Sequence, residues 1–113
     1  MTLTPAYTYA ATVTRWIDGD SVWLDVDLGF RMTSESDFRL YGINTPERAQ
    51  PGYQAAKDRC NVLAPVGSTV TIQTYRNPDK YGRWLAEILS AGVDVNQTLI
   101  TEGLAVAYFG GTK

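Results

Sequence analysis

The sequence predicts a mainly β fold with two helices, arranged as a small, partly open barrel of five strands. Three observations predict it. Apolar and β-branched residues alternate with polar ones in several separate runs, helical spacing is confined to two short segments, and ten glycines and five prolines punctuate the chain between them. With 113 residues and 44% hydrophobic content, the chain supports a single packed core and hence one domain over residues 1–113.

Residues 1–5 form a lead. Residues 7–17 are rich in Thr, Tyr, Val and Trp and read as the first strand, and Asp18-Gly19-Asp20 is a turn signal. Val22, Leu24, Val26 and Leu28 alternate with Trp23, Asp25 and Asp27, a second strand with one buried face. Residues 29–37 are polar and loop-like. Residues 38–43 form a third strand, with Phe38 and Leu40 on one side and Arg39 and Tyr41 on the other. Pro46 and Pro51 stop it. A helix over 52–64 places Ala56, Cys60, Leu63 and Ala64 on a shared face and ends at Pro65 and Gly67. A fourth strand covers 69–75, a polar loop 76–82 and a fifth strand 83–89. Ala91-Gly92 turns the chain into a short helix over 95–102, with Gly103 as its left-handed stop. The order β-β-β-α-β-β-α is that of an OB-like barrel, a class that commonly presents one side to oligonucleotides. Trp16, Trp23 and Trp84 read as core or barrel wall, and Tyr41, Tyr53 and Tyr75 as packing or surface.

Composition excludes several chemistries. Absence of histidine rules out a His-based triad, and one cysteine with no histidine argues against structural zinc. Cys60 cannot form an internal disulfide and reads as an inert helix-face residue. No apolar run approaches 18 residues, and the first residues have no basic leader region, so a cytoplasmic location is expected. With 12 acidic and 10 basic residues, net −2, any nucleic-acid role needs a local cluster or a bound cation.

The polar residues at the strand ends supply such a cluster. Asp20 follows the first turn, Arg39 lies opposite the apolar side of the third strand, and Asn44, Thr45 and Glu47 end it. Lys80, Tyr81 and Arg83 follow the long loop. If these places converge, they bring together oxygen ligands for a hard cation, a carboxylate able to take a proton from water, and two guanidinium forks for phosphate.

The stretches Ile17-Asp18-Gly19-Asp20-Ser21-Val22, Phe38-Arg39-Leu40 into Thr45-Pro46-Glu47, Asp79-Lys80-Tyr81-Gly82-Arg83, Val95-Asn96 and Gly103-Leu104-Ala105 resemble, in order and spacing, the staphylococcal nuclease (thermonuclease) family. The resemblance runs from about Val13 to Tyr108. It implies the barrel fold and Ca²⁺-dependent cleavage of DNA or RNA phosphodiesters, leaving 3′-phosphates. It implies Asp20 and the Thr45 carbonyl as metal ligands and Glu47 as general base. Arg39 and Arg83 would hold the phosphate and stabilise the transition state. Lys80, Tyr81 and Tyr108 would bind substrate, Asp79 would shape the loop, and Asp18 would support the turn. Where the family carries a further aspartate ligand this chain has Asn44, which can ligate Ca²⁺ through its amide oxygen but brings no charge. The chain also ends before the family's C-terminal helix, so a homodimer contact could complete the core. The alternative reading is a non-catalytic or weakly active OB-like module that binds single-stranded nucleic acid or protein.

Overall fold

The computed structural model describes residues 7–75, 78, 79 and 81–108. Lys80 lies outside them. The strands are β1 (Thr8–Asp18), β2 (Ser21–Gly29), β3 (Met32–Leu40), β4 (Ile43–Asn44), β5 (Thr69–Thr74), β6 (Trp84–Ser90), β7 (Val93–Asp94) and β8 (Val106–Ala107). The helices are α1 (Tyr53–Leu63) and α2 (Val95–Thr101).

A long antiparallel meander, β1 to β2 to β3, begins the barrel, and β1 pairs on its other side with β5, which pairs with β6. Closure comes from a short parallel ladder in which Phe38, Arg39 and Leu40 face Trp84, Leu85 and Ala86. This is the closed, mixed, five-stranded barrel of the OB-like class. β1 serves two sheet neighbours by bending, with irregular register at Val13/Arg15 and Trp16/Asp18; such bulges tighten the coil of a strand. Inside lie the alternate residues Val13, Val22, Leu24, Phe38, Leu40, Val70, Ile72, Ala86 and Ile88. Below them α1 presents Ala56 and Cys60, and α2 presents Val95 and Leu99. Trp16 closes that end, donating from Nε1 to the Ala64 carbonyl at 2.9 Å.

Three differences from the sequence reading have physical causes. Residues 32–37 are strand, not loop. They hydrogen-bond to β2 residue by residue although Met32, Thr33, Ser34 and Glu35 are all exposed, so no apolar alternation marks them. This hairpin runs past the end of the barrel, which leaves Leu28 41% exposed and Phe30 96% exposed. The third strand stops at Leu40 because the chain turns at Tyr41-Gly42, where Gly42 has φ 78°; residues 43–44 then pair with β8 instead. Trp84 is barrel wall, as one of the two readings had it: it opens β6, pairs with Phe38 and is 41% exposed.

Candidate functional site

The barrel's closing ladder and its first turn meet at one corner, and almost every polar residue singled out above gathers there. A cavity of about 680 Å³ opens at this corner, within the usual range for ligand sites. Its lining includes Asp18, Asp20, Arg39, Asn44, Thr45, Glu47, Asp79, Tyr81, Arg83 and Tyr108, together with Ser21, Tyr41, Arg48 and Leu85.

The turn carrying Asp20 is clamped from α1. Tyr53 donates its hydroxyl to Asp18 Oδ1 at 2.8 Å and also lies 3.2 Å from the Ile17 carbonyl, while Cys60 Sγ is 3.2 Å from the Gly19 carbonyl. Gly19 is required by close approach: a Cβ there would sit 2.8 Å from the Ala56 Cβ and 3.1 Å from the Thr45 side chain. So held, Asp20 reaches across to the end of β4, where its Oδ2 accepts the Thr45 N–H at 3.2 Å. Ser21 donates to Asp20 Oδ1 at 3.4 Å.

Arg39 leaves the outer face of β3 and enters this corner. Its Nη2 donates to Asn44 Oδ1 at 3.0 Å and lies 3.8 Å from Asp20 Oδ2. Its guanidinium carbon is 5.4 Å from the centroid of the Tyr108 ring, which the β4–β8 pairing and the Tyr108 N–H to Gly42 carbonyl bond bring alongside. Arg83, just ahead of β6, is fixed by Asp79, which accepts from its Nε and Nη2 at 3.0 Å and from its backbone N–H at 2.9 Å. Those bonds hold the Asp79 carboxyl below the usual range against the opposing effect of its partial burial. Arg83 Nη1 donates to Ser21 Oγ at 3.2 Å, and its guanidinium lies 5.6 Å from the centre of the Tyr81 ring. Each arginine is thus paired with a carboxylate and flanked by a tyrosine, a geometry that cation–π contact favours.

Glu47 stands exposed at the rim, on a turn closed by its backbone N–H bonding Gln50 Oε1 at 2.7 Å. Among the described residues its carboxylate makes no ion pair. Sequence reasoning did not single out Ser21, Tyr41, Arg48 or Leu85 as cavity residues. Ser21 and Arg48 lie beside motif residues in the chain, which was the available signal, whereas Tyr41 and Leu85 become neighbours of the site only through barrel closure.

As arranged, the side-chain oxygens of Asp20 and Asn44 are engaged by the chain itself. Calcium takes six to eight oxygens, usually with several carboxylates, yet among the described residues no three His, Cys, Asp or Glu side chains cluster to hold a metal. Both oxygens of Asp20 accept hydrogen bonds from the chain, and the Asn44 oxygen accepts the guanidinium of Arg39. A positive charge therefore already stands between the two side chains best placed to hold a cation. The buried Thr45 Oγ1, which has no hydrogen-bond partner among the described residues, adds one neutral oxygen and no charge.

Cys60 links this corner to pH. Burial, with a smaller contribution from the charge of Asp20, pushes its thiol up to about 12. A thiol that keeps its proton longer when folded gives stability that is complete below the ordinary thiol value of about 8.5 and is lost as pH rises toward 12. Urea midpoints should therefore fall between pH 8.5 and 11. Cys60→Ala should remove the earlier part of that fall and leave the later part due to Tyr75, whose phenol is also raised by burial and by its bond to Glu87. A pH profile unchanged by Cys60→Ala would show that the thiol does not titrate with unfolding.

An uncharacterised 38.1 kDa protein of Capnoides sempervirens is 31% identical to this chain over 93 residues, a match covering 74% of the chain. The chain spans 27% of that relative's length. The sequence profile of the staphylococcal nuclease homologues matches residues 37–113, which contain Arg39, Asn44, Thr45, Glu47, Arg83 and both tyrosines of the corner. The chain belongs to the staphylococcal nuclease family.

Proposed function

We propose that this barrel binds single-stranded nucleic acid at the Arg39–Arg83 corner, holding a phosphate with the two guanidiniums, and that phosphodiester cleavage there is weak. The observation that carries this reading is the Arg39 to Asn44 hydrogen bond at 3.0 Å, with Asp20 at 3.8 Å. The family is generally calcium-dependent; here the guanidinium supplies the positive charge that a metal would supply, and Asn44 has given up the carboxylate that would favour the metal. Four carboxylates (Asp18, Asp20, Glu47, Asp79) and three guanidiniums (Arg39, Arg48, Arg83) line the cavity, so the field alone does not attract a polyanion. Recognition then rests on oriented forks and on aromatic contact from Tyr81 and Tyr108.

A second reading, calcium-dependent hydrolysis to 3′-phosphates with Glu47 as general base, is favoured by one observation: Arg39, Glu47 and Arg83 line the same cavity. A calcium titration of the wild type and of Asn44→Asp separates the two. Our reading expects wild-type calcium affinity no tighter than about millimolar, and the added carboxylate to tighten it about tenfold and raise cleavage with it. Wild-type cleavage that saturates at micromolar calcium would replace our reading with hydrolysis.

A further inference from the structure

Between Met32 and Asp37, β3 pairs with β2 on one side, and its ladder to β6 begins only at Phe38. Two bonds give the direction of its main chain. The Leu40 N–H donates to the Asp20 carbonyl at 2.9 Å, toward β2, and the Tyr41 N–H to the Ala86 carbonyl at 2.8 Å, toward β6. Alternation along β3 therefore turns the N–H and C=O of Thr33 and Glu35 away from β2. Among the described residues no backbone group meets them there. Both residues are exposed, and neither proline nor lysine guards this edge. The two faces of the segment differ. Met32 and Ser34 alternate onto the side of Phe38, whereas Glu35 and Asp37 lie on the outer face with Asp25 and Asp27 of β2. Asp25 stands directly opposite Glu35, a like-charge pair that costs stability. Among the described residues no ion pair reaches any of these four carboxylates. Barrels of this class commonly offer this face to oligonucleotides; here its charge repels them. At the tip, Phe30 and Arg31 form a two-residue turn with φ 56° and 62°, where Asn and Gly are favoured. A bulky side chain is strained in that conformation, and Phe30, almost wholly exposed, gains no packing in return.

We propose that the open edge of β3 accepts, by antiparallel strand addition, an extended protein segment in which basic and apolar residues alternate. Main-chain bonds to Thr33 and Glu35 hold the segment, and the two faces of the hairpin select its side chains. Its basic residues lie over Glu35 and Asp37, its apolar ones beside Met32, and Phe30 anchors it at the tip. A second copy of this chain is a poor occupant, because two-fold pairing of β3 brings the acidic faces together. The surface uses neither arginine of the phosphate corner, so it stands or falls apart from that reading.

The probe is the labelled, end-capped peptide Lys-Val-Lys-Val-Lys-Val-Lys, titrated by fluorescence anisotropy, with Glu-Val-Glu-Val-Glu-Val-Glu as its charge-reversed control. In an antiparallel pair the residues opposite Thr33 and Glu35 turn their main chain toward them. N-methylation of the lysines should therefore abolish binding, and N-methylation of the valines should spare it. Thr33→Pro removes an outward N–H while keeping the ladder to β2, and should weaken the peptide about tenfold or more. Glu35→Gln should weaken it about three- to fivefold at low salt and have no effect near 1 M salt. Phe30→Asn should weaken it and yet raise the urea midpoint, because asparagine accepts the left-handed turn. No binding of the lysine peptide at millimolar concentration, or equal binding of the two peptides, would overturn the proposal. Equal binding of the two methylated forms would overturn it as well, and that comparison needs only the wild-type protein. So would full binding by Thr33→Pro with its circular dichroism unchanged, or a dimer in sedimentation that Thr33→Pro abolishes.

Discussion

Arg39→Ala lowers affinity for a single-stranded oligonucleotide by about a hundredfold, and does so equally in chelator and in calcium. A charge-assisted fork on a phosphate contributes roughly 1.5–3 kcal/mol, or about 10- to 150-fold in affinity. The truncation does further harm, because Asp20 and Asn44 lose the guanidinium they share and Asp20 then faces the strand uncompensated. The logarithmic salt slope should fall by about 0.7 for each lost phosphate contact on a single strand. Arg39→Lys should restore only part of the affinity, since an ammonium cannot span two acceptors as the planar fork does. Unchanged binding by Arg39→Ala, with the fold intact, would place the phosphate elsewhere.

Asn96→Ala destabilises the fold by about 3 kcal/mol, a large part of the 5–15 kcal/mol typical of a domain. Asn96 is 5% exposed at the start of α2. Its Oδ1 accepts the Ile88 N–H at 3.2 Å, and its Nδ2 donates to the Tyr41 carbonyl at 2.9 Å and to the Ala86 carbonyl at 3.2 Å. One amide therefore joins α2 to both strands of the barrel's parallel closure, just where β3 ends and the chain turns toward the site. Removing it takes this partner from the Ile88 N–H and the Tyr41 carbonyl inside the protein, while the Ala86 carbonyl keeps the Tyr41 N–H; groups left unpaired cost about 1–3 kcal/mol each when nothing replaces the bond. Asn96→Asp should be no milder, because it retains the acceptor, removes both donors and buries a charge. Urea denaturation measures the loss, and the melting temperature should drop by roughly 10–20 °C. A change below about 1 kcal/mol would mean that water replaces the side chain at these three groups.

Element type was legible wherever local chemistry decided it. The Asp18-Gly19-Asp20 turn, the alternation of Val22, Leu24 and Val26, and the Gly103 stop after α2 each follow from a few adjacent residues. Residues 32–37 were illegible as strand because their ladder is fixed by β2, not by burial of their own side chains. Gathering Asp20, Arg39, Asn44, Glu47 and Arg83 into one corner was implied by the family resemblance, whereas the residues by themselves left it conditional. What the sequence could not show is direction. That the Asn44 oxygen accepts from Arg39 depends on the turn at Tyr41-Gly42 and the β4–β8 pairing, and that Tyr41 stacks on Tyr75 depends on β6 pairing with both β3 and β5, which no local pattern encodes. Asn96 was visible as a motif residue, but that its one amide joins Ile88 and Ala86 of β6 to Tyr41, 55 residues away in the turn after β3, follows only from barrel closure.

The central claim is that Arg39, seated between Asp20 and Asn44, does for a bound strand what a cation would do. Anisotropy titration of a labelled single-stranded oligonucleotide, in excess chelator and again in millimolar calcium at matched ionic strength, tests it directly. The account predicts affinities equal within about threefold in the two buffers, with the strand recovered intact from chelator. Binding that vanishes in chelator and returns with calcium would contradict it.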